Sequence, residues 1–182
     1  MLSTEPKWVA VYTNPRAEKK VDQNLQKAGF ESYLPLRREL HKWSDRKKWV
    51  EVPLIKSYVF TKIKDSQLET LRHIYGVSFV VSFKGNVATI PDFEIDMMKN
   101  FLASELNIQI RATEQLRRGR KVRINSGPYE NYEGMLVSDC EEGNFAVNIT
   151  GISMSMIIHI DQDLLEVVSE NEEKKTKKYT IR

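Results

Sequence analysis

The clearest hydrophobic pattern in the chain lies between Pro53 and Ile63, PLIKSYVFTKI. Val52, Leu54 and Ile55 close one apolar run, Tyr58, Val59, Phe60 and Ile63 make the next, and Lys56-Ser57 separates them. β-Branched and aromatic residues dominate, so the stretch reads as a central, buried strand entered through a proline-marked bend. Upstream, Lys7–Thr13 (KWVAVYT) alternates and predicts a first strand, and Asn14-Pro15 signals a turn. Val21, Leu25 and Ala28 recur at helical spacing over residues 16–28, with Gly29 as the stop. Residues 32–43, 49–52 and 57–63 read as the next three strands. Leu68, Leu71 and Ile74 predict a short helix behind Asp65 or Ser66 as its cap. Residues 77–83 and 87–90 flank a Gly85-Asn86 turn, and Pro91-Asp92 opens a helix carrying Phe93, Met97, Phe101 and Leu102.

That order, β-α-β-β-β-α-β-β-α, predicts an α+β domain over residues 1–103. Residues 104–115 lose the pattern and read as a linker, although Leu106, Ile108 and Ile110 could pair locally. Five short strand patterns between 116 and 168, punctuated by glycine, predict a small β-barrel. Glycines 119, 127, 134, 143 and 151 would each cost a helix about 1 kcal/mol. Pro128 would interrupt one. Strand, not helix, is therefore expected here. Residues 169–182 read as a charged, mobile tail.

Composition changes the picture mainly through charge. A 41% hydrophobic and 29% charged content is globular, and the net charge of +3 conceals an asymmetry. Residues 1–50 hold 11 Lys and Arg against 6 Asp and Glu, whereas residues 111–168 hold 6 against 9. Arg16, Lys19 and Lys20 sit at the start of the first helix, where cations oppose the helix dipole. Such a placement fits either an external anion such as phosphate or solvated side chains at a cost of tenths of a kcal/mol. Arg46, Lys47 and Lys48 crowd a hairpin tip between Trp43 and Trp49. Aromatics interleaved with cations suit nucleic-acid contact, and cross-strand packing explains the tryptophans equally well. A further basic patch runs from Arg111 to Arg123.

Several function classes recede. Cys140 is the single cysteine, so no internal disulfide forms and a reducing, cytoplasmic location is expected. The opening residues carry no apolar signal core, and no apolar run is long enough for a membrane span. Three scattered histidines and one cysteine predict no metal site and no cofactor. No phosphate-binding glycine loop or nucleophile-base grouping is present. Asp139, Glu141 and Glu142 disfavour a thiolate at Cys140. The expectation is a binding protein with no catalytic residues.

The residues then resemble a family. Trp8 to Tyr12 (WVAVY), Pro15 to Lys20 (PRAEKK), Gly29, Leu34-Pro35, Pro53 to Phe60 (PLIKSYVF), Gly76-Val77 and Ile90-Pro91 resemble the NGN domain of NusG-type transcription elongation factors. Gly119, Val122, Gly127, Pro128, Tyr129 and Gly134 are similar to a KOW motif, which implies an SH3-like barrel. The short N-terminus and the PLIKSYVF form look most like the specialised RfaH and UpxY paralogues, which serve chosen operons such as capsular polysaccharide loci. The resemblance implies a monomer that binds the clamp helices of RNA polymerase and suppresses pausing and termination. It carries Tyr12, Ile55 and Tyr58 to the polymerase-binding pocket. Asn14, Arg16, Lys19 and Lys20 fall on a surface facing upstream or non-template DNA, with Arg46, Lys47 and Lys48 as further nucleic-acid candidates. The KOW barrel would recruit a ribosomal protein or Rho. A general NusG-type factor and a KOW-containing ribosomal or RNA-binding protein are the alternatives. One departure stands out: where the family commonly reads Pro-Leu-Phe-Pro-Gly-Tyr, this chain has Ile55-Lys56-Ser57 before Tyr58.

Overall fold

The computed structural model describes residues 5–42, 46–104, 106–116, 118–137 and 144–168. Trp43, Cys140 and the expected mobile tail lie outside the described residues. The chain divides into two compact units, Met1–Glu105 with Ile149–Ile152, and Leu106–Asn148 with Ser153–Arg182.

In the N-terminal unit, β1 (Lys7–Thr13) is followed by α1 (Glu18–Lys27), β2 (Glu31–Tyr33), β3 (Leu36–Lys42), β4 (Lys47–Pro53) and β5 (Tyr58–Ile63). Then come α2 (Leu68–Arg72), β6 (Val77–Val80), β7 (Ser82–Phe83), β8 (Asn86–Val87), β9 (Thr89–Ile90) and α3 (Asp92–Ala103). The main sheet is ordered β2-β5-β1-β6, and β9 also pairs with β1. β5 therefore sits inside the sheet, flanked by β2 and β1, as its apolar run requires. Its antiparallel register with β1 runs from Lys7 opposite Ile63 to Tyr12 opposite Tyr58.

Strand alternation sorts β1 onto two faces. Val9 and Val11 join Val59 and Ile63 in a core closed by Val21 and Leu25 of α1 and Leu71 of α2. Trp8, Ala10 and Tyr12 alternate with them. Asp92, at the start of α3, accepts the Trp8 indole N–H at 3.0 Å and the Lys62 ammonium at 2.6 Å. The Lys62 hydrogen bond holds the Asp92 carboxyl below the usual carboxylate range. From the same helix, Lys99 reaches over both the Trp8 ring at 5.7 Å and the Tyr33 ring at 5.5 Å. At Gly76, φ is +95° and an added Cβ would lie 2.7 Å from Val21 Cγ2, so the last residue of the turn between α2 and β6 must be glycine.

The expected strand over 32–43 is two strands, broken at Leu34-Pro35. Proline cannot donate to a ladder. Its carbonyl instead accepts the Leu54 N–H at 2.8 Å. β3 and β4 then form a separate two-stranded hairpin, in register from Leu36 opposite Pro53 to Lys42 opposite Lys47.

The C-terminal strands are β10 (Gln109–Ala112), β11 (Arg118–Ile124), β12 (Glu133–Val137), β13 (Asn144–Ile149), β14 (Met154–His159) and β15 (Leu165–Val167). They form one sheet ordered β10-β14-β13-β12-β11-β15. Six strands replace the five expected, because β10 lies inside the stretch read as a linker. Its four residues hold one strong apolar position, Ile110, and the strand is defined by its partner: Gln109 pairs with Ile157 and Ala112 with Met154. Glu133 binds Arg123 at 2.7 Å and Lys121 at 3.0 Å. Burial pushes its carboxyl up, but those two partners outweigh burial and leave it below the ordinary range. Among the described residues, the only helical turns between 106 and 168 are 3-10 turns at Thr113–Gln115 and Gln162–Leu164. No described helix is long and apolar enough to cross a membrane.

Candidate functional site

The turn between β4 and β5 is built around a buried carboxylate. Glu18, only 5% exposed, accepts the Ser57 backbone N–H at 2.7 Å. The Ser57 carbonyl in turn accepts the Thr13 N–H at 2.8 Å, so one residue links α1, β1 and the entry to β5. Ser57 has φ +63°, the left-handed conformation. Glycine adopts that conformation freely, whereas a side chain there costs about 1–2 kcal/mol. The hydrogen bond that the Ser57 N–H donates to Glu18 is set against that cost. Glu18 also places an acid in the first turn of α1, where the helix dipole favours it. The sequence showed three cations at this helix start and gave no sign that the acid among them is buried and holds the turn.

Beyond the turn, three aromatic side chains meet across three strands. Tyr12 lies opposite Tyr58 on β5 and opposite Phe79 on β6. The Tyr12 and Tyr58 rings meet edge to face at 5.3 Å and 85°, and Tyr12 stacks on Phe79 at 4.8 Å and 10°. Burial, then the neighbouring Tyr12, pushes the Tyr58 hydroxyl up. Tyr12 and Tyr58 are half-buried, and Phe79 is 52% exposed. Of the three residues expected in a polymerase-binding pocket, the structure brings Tyr12 and Tyr58 together. Ile55 is 2% exposed, so its side chain belongs to the interior and presents no surface. Lys56 beside it is exposed. Phe79 went unnoticed in the sequence because it is one aromatic in an apolar strand pattern. Only the register with β1 sets it beside Tyr12.

The cationic candidates divide as well. Arg16, Lys19 and Lys20 are exposed, and Arg16 adopts φ +67° just ahead of α1. Asn14 is exposed and its Oδ1 accepts the Ser78 hydroxyl at 3.1 Å. On the hairpin, Arg46, Lys47 and Lys48 are exposed. An open groove of about 570 Å³ brings the two groups together: Lys19 from α1 lines it with Arg38, Lys48, Trp49, Val50 and Glu51 of the hairpin. Arg46 and Lys47 are not among its lining residues.

The C-terminal motif residues serve the sheet. A Cβ on Gly119 would meet the Leu136 carbonyl oxygen at 1.8 Å, and one on Gly134 would meet the Ala146 oxygen and the Phe145 ring at 2.6 Å. Glycine is required at both for neighbouring strands to approach. Val122 is buried in β11, and Gly127 and Pro128 make the exposed turn toward β12. Tyr129 is buried, with its ring 6.2 Å from that of Tyr132. Among the described residues no cluster of His, Cys, Asp or Glu has the makings of a metal site.

Residues 6–99 match the family model described as "Transcription termination factor nusG". Comparison with curated proteins gives no match. Among solved structures, the chain is similar to that of "Domain interaction in Thermotoga maritima NusG". Identity is 22%, 90% of this chain and 98% of that chain are covered, and the TM-score is 0.51. At that identity the likeness is one of fold. Conformations A and B of the MjSpt4:Spt5 complex cover 89% and 90% of this chain and 98% and 97% of theirs. Their identities are 14% and 15%, each with a TM-score of 0.29.

The contact between Glu18 and Ser57 predicts opposite effects at its two ends. Ser57→Gly relieves the left-handed strain, less the added freedom of the unfolded chain, for a net gain of about 0.5–1 kcal/mol. Glu18→Ala leaves a buried N–H without its acceptor and loses about 1–3 kcal/mol. Native-state amide exchange of β1 and β5 measures both.

Proposed function

The chain belongs to the NusG family of transcription factors, and on that footing we propose that it is a specialised member that binds RNA polymerase and keeps it transcribing through pauses and terminators. The observation that carries this reading is the aromatic patch of Tyr12, Tyr58 and Phe79. Two rings packed on either side of Tyr12, with Phe79 standing half in water, make an aromatic anchor of the sort that dominates protein interfaces. The surface of the clamp helices is the partner this reading assigns to it.

The rest of the reading is arranged around that anchor. Arg16, Lys19, Lys20 and the hairpin cations supply a salt-dependent, sequence-independent attraction to the upstream or non-template DNA of the transcribing complex. The C-terminal sheet, with its close-approach glycines, is read as a KOW barrel that takes a second partner, a ribosomal protein or Rho. The protein works as a cytoplasmic monomer and carries out no chemistry of its own. Specialisation of the RfaH and UpxY kind, on operons such as capsular polysaccharide loci, is supported by Lys56-Ser57. That pair replaces the family's usual Pro-Gly beside the anchor and puts an exposed cation there.

Tyr58→Ala, with Phe79→Ala as the variant less coupled to folding, is expected to weaken capture of core RNA polymerase by about 1–3 kcal/mol. Circular dichroism checks that each variant is folded. A folded double variant with wild-type affinity removes the patch from the interface. Genome-wide occupancy in the native cell is expected to be confined to a few operons. Occupancy of most transcribed genes would make this a general NusG-type factor instead.

A further inference from the structure

The groove between α1 and the hairpin contains an indole that the attraction of cations for phosphate does not explain. Trp49 is 64% exposed and lies opposite Leu40, itself a large exposed apolar side chain. An indole left largely in water forgoes the stabilisation that burial of its apolar surface would give. Around it stand Lys19, Arg38 and Lys48, three cations against the single carboxylate of Glu51. Arg38 sits directly across the hairpin from Glu51, which leaves Lys19 and Lys48 as the cations not set opposite that acid.

An aromatic face bordered by cations matches the two halves of a nucleotide, with a base to stack and a phosphate to neutralise. A duplex buries its base faces in its own stack and offers the groove only its backbone. An unpaired strand offers both. The geometry points to Trp49 as a base-stacking anchor that makes this groove select unpaired polynucleotide over duplex, with Lys19 and Lys48 holding the phosphates on either side. The inference rests on the nucleic-acid half of the reading above and adds a selectivity that cations alone do not give. Arg38 and Trp49 join the site. Arg46 and Lys47 contribute only long-range attraction.

The test is fluorescence anisotropy of the full chain against a labelled single-stranded DNA of mixed sequence, the RNA of the same sequence, and the DNA duplex. Trp49→Ala is expected to weaken single-strand binding by about 5–150-fold, the equivalent of one stacked base at about 1–3 kcal/mol. Duplex affinity should stay unchanged, and Trp49→Phe should keep most of the single-strand affinity. Lys19→Ala and Lys48→Ala should each reduce the slope of log affinity against log salt by about 0.7. Loss on DNA alone or on RNA alone identifies which strand the groove takes, and loss on both shows that it reads the shared chemistry. Trp49→Ala binding single strands as wild type does, or losing as much affinity for duplex, overturns the stacking assignment. A wild-type chain that binds none of the three probes overturns the nucleic-acid reading itself. Polymerase capture in the absence of nucleic acid, measured in parallel, should be indifferent to Trp49.

Discussion

One hydrogen bond organises the N-terminal unit: the buried Glu18 carboxylate on the Ser57 N–H, at 2.7 Å. It fixes the start of α1 against the turn that feeds β5, while the Ser57 carbonyl ties the same residue to the end of β1. Buried carboxylates persist only where donors compensate the lost water. Here the compensation comes from the backbone amide of Ser57, a residue itself held in the left-handed conformation. A glycine at this position would need no such support. A serine does, and the acid in the first turn of α1 supplies it.

That contact sits between two surfaces of different character. On one side, Tyr58 follows Ser57 directly and meets Tyr12, which stacks on Phe79. On the other, Lys19 follows Glu18 directly and faces the hairpin groove. A shift of the turn would therefore move both the aromatic anchor and one wall of the cationic groove. The two surfaces also obey different physics. An apolar anchor is insensitive to salt, and a groove that neutralises phosphates weakens steeply with it.

Much of the fold was legible in residue patterns. Lys7–Thr13 forms the strand its alternation predicts, the helix behind Pro91 starts at Asp92, and the charged hairpin lies where two strand patterns flank a polar tip. The C-terminal glycines and Pro128 argued for strand, and strand is what the described residues adopt. What escaped was set by tertiary partners. The alternation of Leu106, Ile108 and Ile110 pointed only to local pairing, whereas β10 pairs with the distant β14. The break at Leu34-Pro35 follows from a donor that proline lacks. In the candidate site, Tyr12 and Tyr58 could be paired from the resemblance, whereas the exposure of Phe79 and the burial of Ile55 depend on strand register and on the path of the turn. Glu18 was visible only as one acid among lysines, because nothing in a linear sequence marks a carboxylate as buried.

In the proposed function, the N-terminal unit meets RNA polymerase through the ends of β1, β5 and β6. Hydrogen–deuterium exchange of the full chain, with and without core RNA polymerase, tests this most directly. Protection concentrated at residues 11–13, 57–60 and 77–80, with little change along the hairpin until nucleic acid is added, is the predicted result. Protection confined to the C-terminal strands, or appearing first on the hairpin in the absence of nucleic acid, would contradict it.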